Sequence, residues 1–472
     1  MLRRIFGAIK NVAMAIQPPR DPLIVILGAT GTGKSQLAVD VAKRFNGEII
    51  NSDAIQMYEG LPIITNKITT EEQQGIPHHL LGFIAPEDEP WRVGLFKKKA
   101  GEIIREIRSR GRLPILVGGT HYYTQSLLFA ETLVEEDPSD EEHEHSGFAS
   151  QEIAEKFPIL EGPTEVMMER LKEVDPVMAD RWHPKDRRKI RRSLEIFLLT
   201  GKKASDLYKE QHHRRILNRK CEDDETKDLL IDIKSSLLFW VHADSEILKA
   251  RLDRRVDTMI ELGLLGEVKT MERFLHARAE MGVEIDRTRG IWVSIGWKEF
   301  KPYLRALASE TLSPAEVQKS YELSIEQTKA ATRQYAKRQV RWIRLKLIPA
   351  LFKDDTLDRL YLLDGSKAAQ FADAVSQPAI GVIEKFLDGG KLMPPHELCD
   401  AAAHFLRPVM EKDETEEVHI RQECDICHVV ALNSIQWKSH INSRRHRALL
   451  KKKQKNEASG RSSHQHPRSV DH

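Results

Sequence analysis

Apolar residues recur along this chain with two periods, and the switch between them marks its elements. Leu23 to Leu27, Glu48 to Asp53 and Leu113 to Val117 are short runs that read as strands. Gln36 to Phe45 has the i, i+3, i+4 spacing of a helix. This alternation, sustained to Phe129, predicts a parallel sheet with helices on its faces. Residues 151 to about 215 then read almost wholly as helix, an insertion packed over one edge of the sheet. A strand returns at Leu237 to Val241, and helices follow to about Leu347. The expected division is a core over 21–130 and 216–355, an acidic loop and helical insertion over 131–215, and a linker over 356–420, with a candidate helix from Ala369 to Phe386. A small C-terminal module over 421–450 and a basic disordered tail over 451–472 complete it.

Charge sharpens this picture. The net charge of +2 over 472 residues hides strong local bias. Residues 131–152 hold nine acids and no Lys or Arg, whereas 444–472 hold nine Lys or Arg and two acids. The basic tail suggests nucleic acid or a nuclear address. No apolar run reaches the roughly eighteen residues of a membrane span. Four cysteines are too few for a disulfide framework, which favours a reducing compartment. Residues 1–20 carry Arg3, Arg4, Lys10 and Arg20 without an acid, resembling a mitochondrial targeting leader. Met14 offers an internal start that would leave a cytosolic form.

The chemistry begins at Gly28-Ala29-Thr30-Gly31-Thr32-Gly33-Lys34-Ser35, directly after the first strand. This is the G-x-x-x-x-G-K-[ST] phosphate loop in its required strand–loop–helix context. Its glycines let backbone N–H groups turn inward around an anion, Lys34 adds a point charge, and the Ser35 hydroxyl suits a magnesium ion held by phosphates. The fold class expected is therefore α/β, a P-loop parallel-sheet core with a helical insertion. Asp53 stands at the end of the next strand, where ligands of open α/β sheets collect. It can steady a magnesium ion, take a proton from an attacking group, or merely cap a helix. Spacing leaves these three open.

Five further blocks decide among them by resemblance. Asn51-Ser52-Asp53-Ala54-Ile55-Gln56-Met57-Tyr58 leads to Pro62-Ile63-Ile64-Thr65-Asn66-Lys67, and Gly75-Ile76-Pro77-His78-His79 follows. Val117-Gly118-Gly119-Thr120-His121-Tyr122-Tyr123, Asp175-Pro176 to Glu195, and Thr332-Arg333-Gln334-Tyr335-Ala336-Lys337-Arg338-Gln339 complete the series. In this order, over roughly residues 21 to 350, they resemble the tRNA dimethylallyltransferase (isopentenyltransferase) family. The resemblance implies transfer of a dimethylallyl group from dimethylallyl diphosphate to N6 of the adenosine 3′ of a tRNA anticodon. It makes the loop a holder of diphosphate, with Mg²⁺, and Asp53 the acceptor of the N6 proton. In Arg254-Arg255-Val256-Asp257-Thr258-Met259 it assigns a diphosphate-gripping role to Arg255, while the residues alone leave Arg254 open. Ala54, Ile55, Gln56 and Thr120 are then candidates for reading the adenine.

Two basic stretches bear on tRNA. Lys185 to Arg192 has six cations in eight positions, and its helix can bury Ile190, Leu194 and Phe197. The matching family segment implies phosphate contact by Arg187, Arg188, Lys189 and Arg191. Residues 329–346 place Lys329, Arg333, Lys337, Arg341 and Arg344 at helical spacing beside Arg338, with no acid from Gln327 to Phe352. An unneutralised face of that kind repels itself unless an anion lies on it. Near the C-terminus, Cys424-x-x-Cys427, twelve residues, His440, five residues and His446 fit the C₂H₂ zinc-finger template. His419 and His428 are the alternative ligands. The eukaryotic branch of the family carries such a finger. A monomer is expected. A small-molecule kinase using ATP shares the phosphate loop but explains neither the basic helix nor the finger. A non-enzymatic RNA-binding scaffold explains the finger but not an intact loop with Asp53 beside it.

Overall fold

The computed structural model describes residues 18–129, 156–210, 231–411, 419–427 and 429–461. The targeting leader up to residue 17, the acidic stretch 131–152, the charged loop at 211–230 and the last eleven residues lie outside that set. In chain order the elements begin with β1 (Leu23–Gly28), α1 (Lys34–Arg44), β2 (Gly47–Asn51) and β3 (His78–His79). Next come α2 (Val93–Ser109), β4 (Leu113–Val117) and α3 (His121–Leu128). The helical insertion supplies α4 (Thr164–Val174), α5 (Pro176–Arg181) and α6 (Arg187–Thr200). The core resumes with β5 (Ser236–His242), α7 (Ser245–Glu261), α8 (Leu264–Glu280), α9 (Trp297–Leu307) and α10 (Pro314–Trp342). It closes with α11 (Ile348–Lys353), β6 (Leu360–Asp364), α12 (Gln377–Leu387) and α13 (Asp400–Met410). The finger has β7 (His419–Glu423), β8 (Val430–Asn433), α14 (Ser434–Ile441) and α15 (Arg444–Arg461).

Six parallel strands form one sheet in the order β3-β2-β4-β1-β5-β6. Both faces are buried, so the central strands are apolar without a break. Leu23, Val25 and Leu27 enter one core with Leu116, Leu238 and Trp240. Ile24 and Ile26 enter the other, beneath α1 and α12. β1 lies in the middle, so the turn that follows it opens between the ends of β4 and β5.

The residues fall into two compact units, Met1–Leu133 with Thr226–Lys412, and Val134–Glu225 with Asp413–His472. The insertion has its own core of Leu160, Met167, Leu171, Met178, Ile190 and Leu194. Ile196 is buried there, whereas Phe197 only packs against the cluster. Asp175 explains the Asp-Pro signature: buried, it accepts from Met178 N at 3.3 Å and Ser205 N at 2.8 Å, capping α5 and tying down a later turn.

Two expectations need correction. The stretch 356–420 is not a linker as far as Met410: Leu360–Asp364 pairs with β5 as the last strand, and α12 and α13 pack on the sheet. Its four-residue apolar run is too short for periodicity to distinguish from a helical turn. Residues 451–461 are not a disordered tail but the end of α15, in which Lys, Gln, Glu and Ala favour helix. Among the described residues no helix is long and apolar enough to cross a membrane.

Candidate functional site

The phosphate loop occupies the turn from β1 into α1. Gly28 is forced by its surroundings, because a Cβ there would lie 2.4 Å from the Val241 carbonyl oxygen. Gly33 has φ +94°, and a Cβ would strike the Phe371 ring at 2.5 Å. Lys34 Nζ and Thr32 Oγ1 each donate to the Ala29 carbonyl at 2.9 Å. Burial, partly offset by Asp53 and reinforced by Arg255, lowers the Lys34 ammonium to about 8. Arg255, on α7, donates from Nη1 to Thr30 Oγ1 at 2.8 Å, and burial lowers its guanidinium below the ordinary value. Arg254 is exposed, so Arg255 is the arginine that turns to the loop. Ser35 is exposed at the start of α1.

Asp53 follows β2 by two residues on the same edge of the sheet. Its backbone is clamped by Asn51, whose Oδ1 accepts from Asp53 N and whose Nδ2 donates to Asp53 O, both at 3.0 Å. The carboxylate accepts from Ile55 N at 3.2 Å. Burial raises its pKa, opposed by the Lys34 charge and by backbone donors. A base is favoured by such a shift toward the working pH. Thr120 Oγ1 accepts from Ala54 N at 3.0 Å, joining the two loops, and Gln56 Nε2 donates to the Asn66 carbonyl at 2.9 Å.

At the other end of the chain, Cys424 Sγ, Cys427 Sγ and one ring nitrogen each of His440 and His446 lie within 4.8 Å of one another. Cys427 Sγ is 3.3 Å from both His440 Nε2 and His446 Nδ1, and 3.5 Å from Cys424 Sγ. Tetrahedral ligands at zinc–sulfur and zinc–nitrogen distances of about 2.3 and 2.0 Å stand roughly 3.3–3.8 Å apart, so the four donors fit one ion. His419 lies on β7. His428 lies outside the described residues.

The chain as a whole matches known proteins. The family model described as IPP transferase covers residues 56–346, one described as isopentenyl transferase covers 22–81, and one for zinc fingers of C2H2 type covers 423–446. A tRNA dimethylallyltransferase of Schizosaccharomyces pombe is 36% identical over 452 residues, 92% of this chain and 95% of that protein. The Homo sapiens relative of the same name is 33% identical, covering 92% and 87%. The chain belongs to the tRNA dimethylallyltransferase family. A solved structure described as a eukaryotic dimethylallyltransferase acting on tRNA superposes with a TM-score of 0.70 at 32% identity, over 93% of this chain and 99% of that one.

Within the family frame, the basic stretches prove less uniform than their sequences. Arg333 pairs with Asp253, and Lys329 pairs with Asp257 at 2.7 Å, both acids on α7. The first half of the α10 cation run is thus neutralised, contrary to expectation, by a helix distant in sequence. Lys337, Arg338 and Arg341 remain exposed. In the insertion, Arg187 donates to the carbonyls of Gly162 and Leu160, and Arg191 to the Leu160 carbonyl and the Glu161 carboxylate. These two arginines hold the 160–162 turn and do not stand free as expected. Lys189 pairs with Asp186 at 3.2 Å and lies over the Trp182 ring, while Arg188 is exposed.

Three site residues escaped prediction as such. Gln339 is buried beside both loops. Tyr335 lies close enough to Asp53 for that charge, after burial, to raise its phenol. His121 is buried with neither ring nitrogen hydrogen-bonded, and burial together with Lys34 lowers it to about 3, so it stays neutral. Each sits inside a recognised block. Only its buried orientation marks it out, and that orientation is a tertiary property.

Proposed function

We propose that this chain transfers a dimethylallyl group from dimethylallyl diphosphate to N6 of the adenosine 3′ of a tRNA anticodon. The observation that carries the reading is the convergence of Lys34, Arg255 and Asp53 at one edge of the sheet. Lys34 and Arg255 grip the diphosphate and neutralise the charge that grows as the allylic C–O bond breaks. The N6 lone pair forms the new C–N bond, diphosphate leaves, and the N6 proton passes to the Asp53 carboxylate. Ser35 is the residue that would hold Mg²⁺, whose charge supports the same leaving group. The adenine must leave its stack to reach Asp53, so base extrusion is part of the reading. The bridge between Thr120 and Ala54 keeps the loops around that base in register. Lys337, Arg338 and Arg341 contact RNA phosphates, which position without reading sequence. Zinc on the four C-terminal donors holds the finger that assists RNA binding. Mitochondrial and cytosolic pools are the proposed locations, to be compared by deleting residues 1–13.

The deciding assay follows labelled dimethylallyl transfer to tRNA, with phosphoryl transfer from ATP as the competing activity. Asp53→Asn should keep diphosphate binding and lose roughly 10²–10⁴-fold in turnover. Near-normal turnover at saturating tRNA removes Asp53 from the base role. ATP-dependent phosphorylation without prenyl transfer overturns the reading.

A further inference from the structure

Gln339 lies on the buried side of α10, 4% exposed, and its carboxamide is used at both ends. Oε1 accepts from the backbone N–H of Thr30 at 2.8 Å, and Nε2 donates to the Gly119 carbonyl at 3.0 Å. The space is filled: a Cβ on Gly119 would lie 2.4 Å from Gln339 Nε2 and 2.9 Å from Asp53 Oδ2. One side chain therefore joins the phosphate loop after β1 to the loop after β4, and both flank Asp53. Thr30 is held twice, its amide by Gln339 and its hydroxyl by Arg255. Ala336, one turn earlier, belongs to the same small buried cluster as Ala29 of that loop. Lys337, Arg338 and Arg341, within two positions of Gln339 on the same helix, are exposed.

We infer that Gln339 is a positioning residue that couples RNA binding on the exposed side of α10 to the diphosphate grip on its buried side. This rests on the proposed function, because it takes RNA phosphates and diphosphate as the two ligands. An anion laid along Lys337 and Arg341 restrains α10, and Gln339 passes that restraint to Thr30 and Gly119. Coupling of this kind is reciprocal: each ligand tightens the other by the same factor.

The test measures four affinities on the full chain loaded with zinc, in magnesium buffer. The probes are inorganic pyrophosphate, with and without an anticodon stem-loop RNA, and that RNA with and without pyrophosphate. The wild-type protein should show mutual tightening of about 5- to 150-fold, the ordinary range for coupled sites. Gln339→Met, of similar volume, should bring the ratio to within about twofold of unity, lower pyrophosphate affinity alone by about tenfold, and leave RNA affinity alone unchanged. A residue with a merely structural role would lower melting temperature and both affinities while the ratio held. Should Gln339→Met fail to fold, Gln339→Glu keeps the acceptor for Thr30 and removes the donor for Gly119, and the ratio should again fall. A folded variant with the wild-type ratio overturns the inference, as does a wild-type protein that binds both probes independently. In either case the proposed function stands. A wild-type protein that binds neither probe overturns that function, and the inference with it.

Discussion

Helix α6 and the second half of α10 carry comparable runs of cations in unlike surroundings. In α6, Arg187 and Arg191 reach back to backbone carbonyls of the 160–162 turn, and Arg192 lies 3.4 Å from Glu195. In α10, Lys329 and Arg333 are matched by acids of α7, and the cations that follow face outward. Counting charge along a sequence therefore overstates the charge available to a ligand. A guanidinium that satisfies a backbone carbonyl is part of the fold, and removing it leaves the carbonyl unpaired.

This contrast can be broken by experiment, and the largest effect is expected at α10. Reversing charge at Lys337 and Arg341 together should weaken tRNA binding about a hundredfold, and flatten its salt dependence by about one unit of slope for each phosphate no longer neutralised. Melting temperature should hardly move. The matching double reversal at Arg187 and Arg191 should instead destabilise the insertion by about 2–3 kcal/mol, the loss of charged hydrogen bonds to carbonyls, with the salt slope unchanged. Equal slopes for the two variants would erase the distinction.

Lys34 is a third kind of cation, desolvated and poised. Its folded-state value of about 8 lies below its ordinary one, so the ammonium that attracts diphosphate is present below pH 8 and lost above it. Pyrophosphate affinity should therefore fall as pH rises through about 8, approaching tenfold per unit. A flat titration from about pH 7 to 9.5 would show that Lys34 does not hold the anion in its charged form. The smallest effect concerns the α7–α10 pairs. A double-mutant cycle on Asp253→Asn and Arg333→Gln should return about 1 kcal/mol for this partly exposed pair, read as thermal stability.

The same contrast separates what the sequence discloses from what it withholds. The phosphate loop, Asp53 and the four finger donors are legible because their chemistry depends on local spacing. The partners of Arg333 and Lys329 are not, since Asp253 and Asp257 meet them only when α7 packs on α10. Nor does any local rule choose between Arg254 and Arg255; the packing of Leu252 and Val256 into the core settles which face of α7 turns inward. Strand β6 is hidden for a related reason: a run of four apolar residues becomes a strand only when β5 is there to pair with it.

The bond from Thr30 to Gln339 spans 309 residues. On the ribosome, at roughly 5–20 residues per second, the phosphate loop is made early and then waits some 15–60 seconds for the residue that braces it. The flanking strand β5 is also late, since the insertion must be synthesised first. An N-terminal fragment would thus contain the complete phosphate-binding motif without its support, exposing the edge of β1 where β5 belongs. Premature termination before β5 should accordingly yield an aggregation-prone chain instead of a weak diphosphate binder.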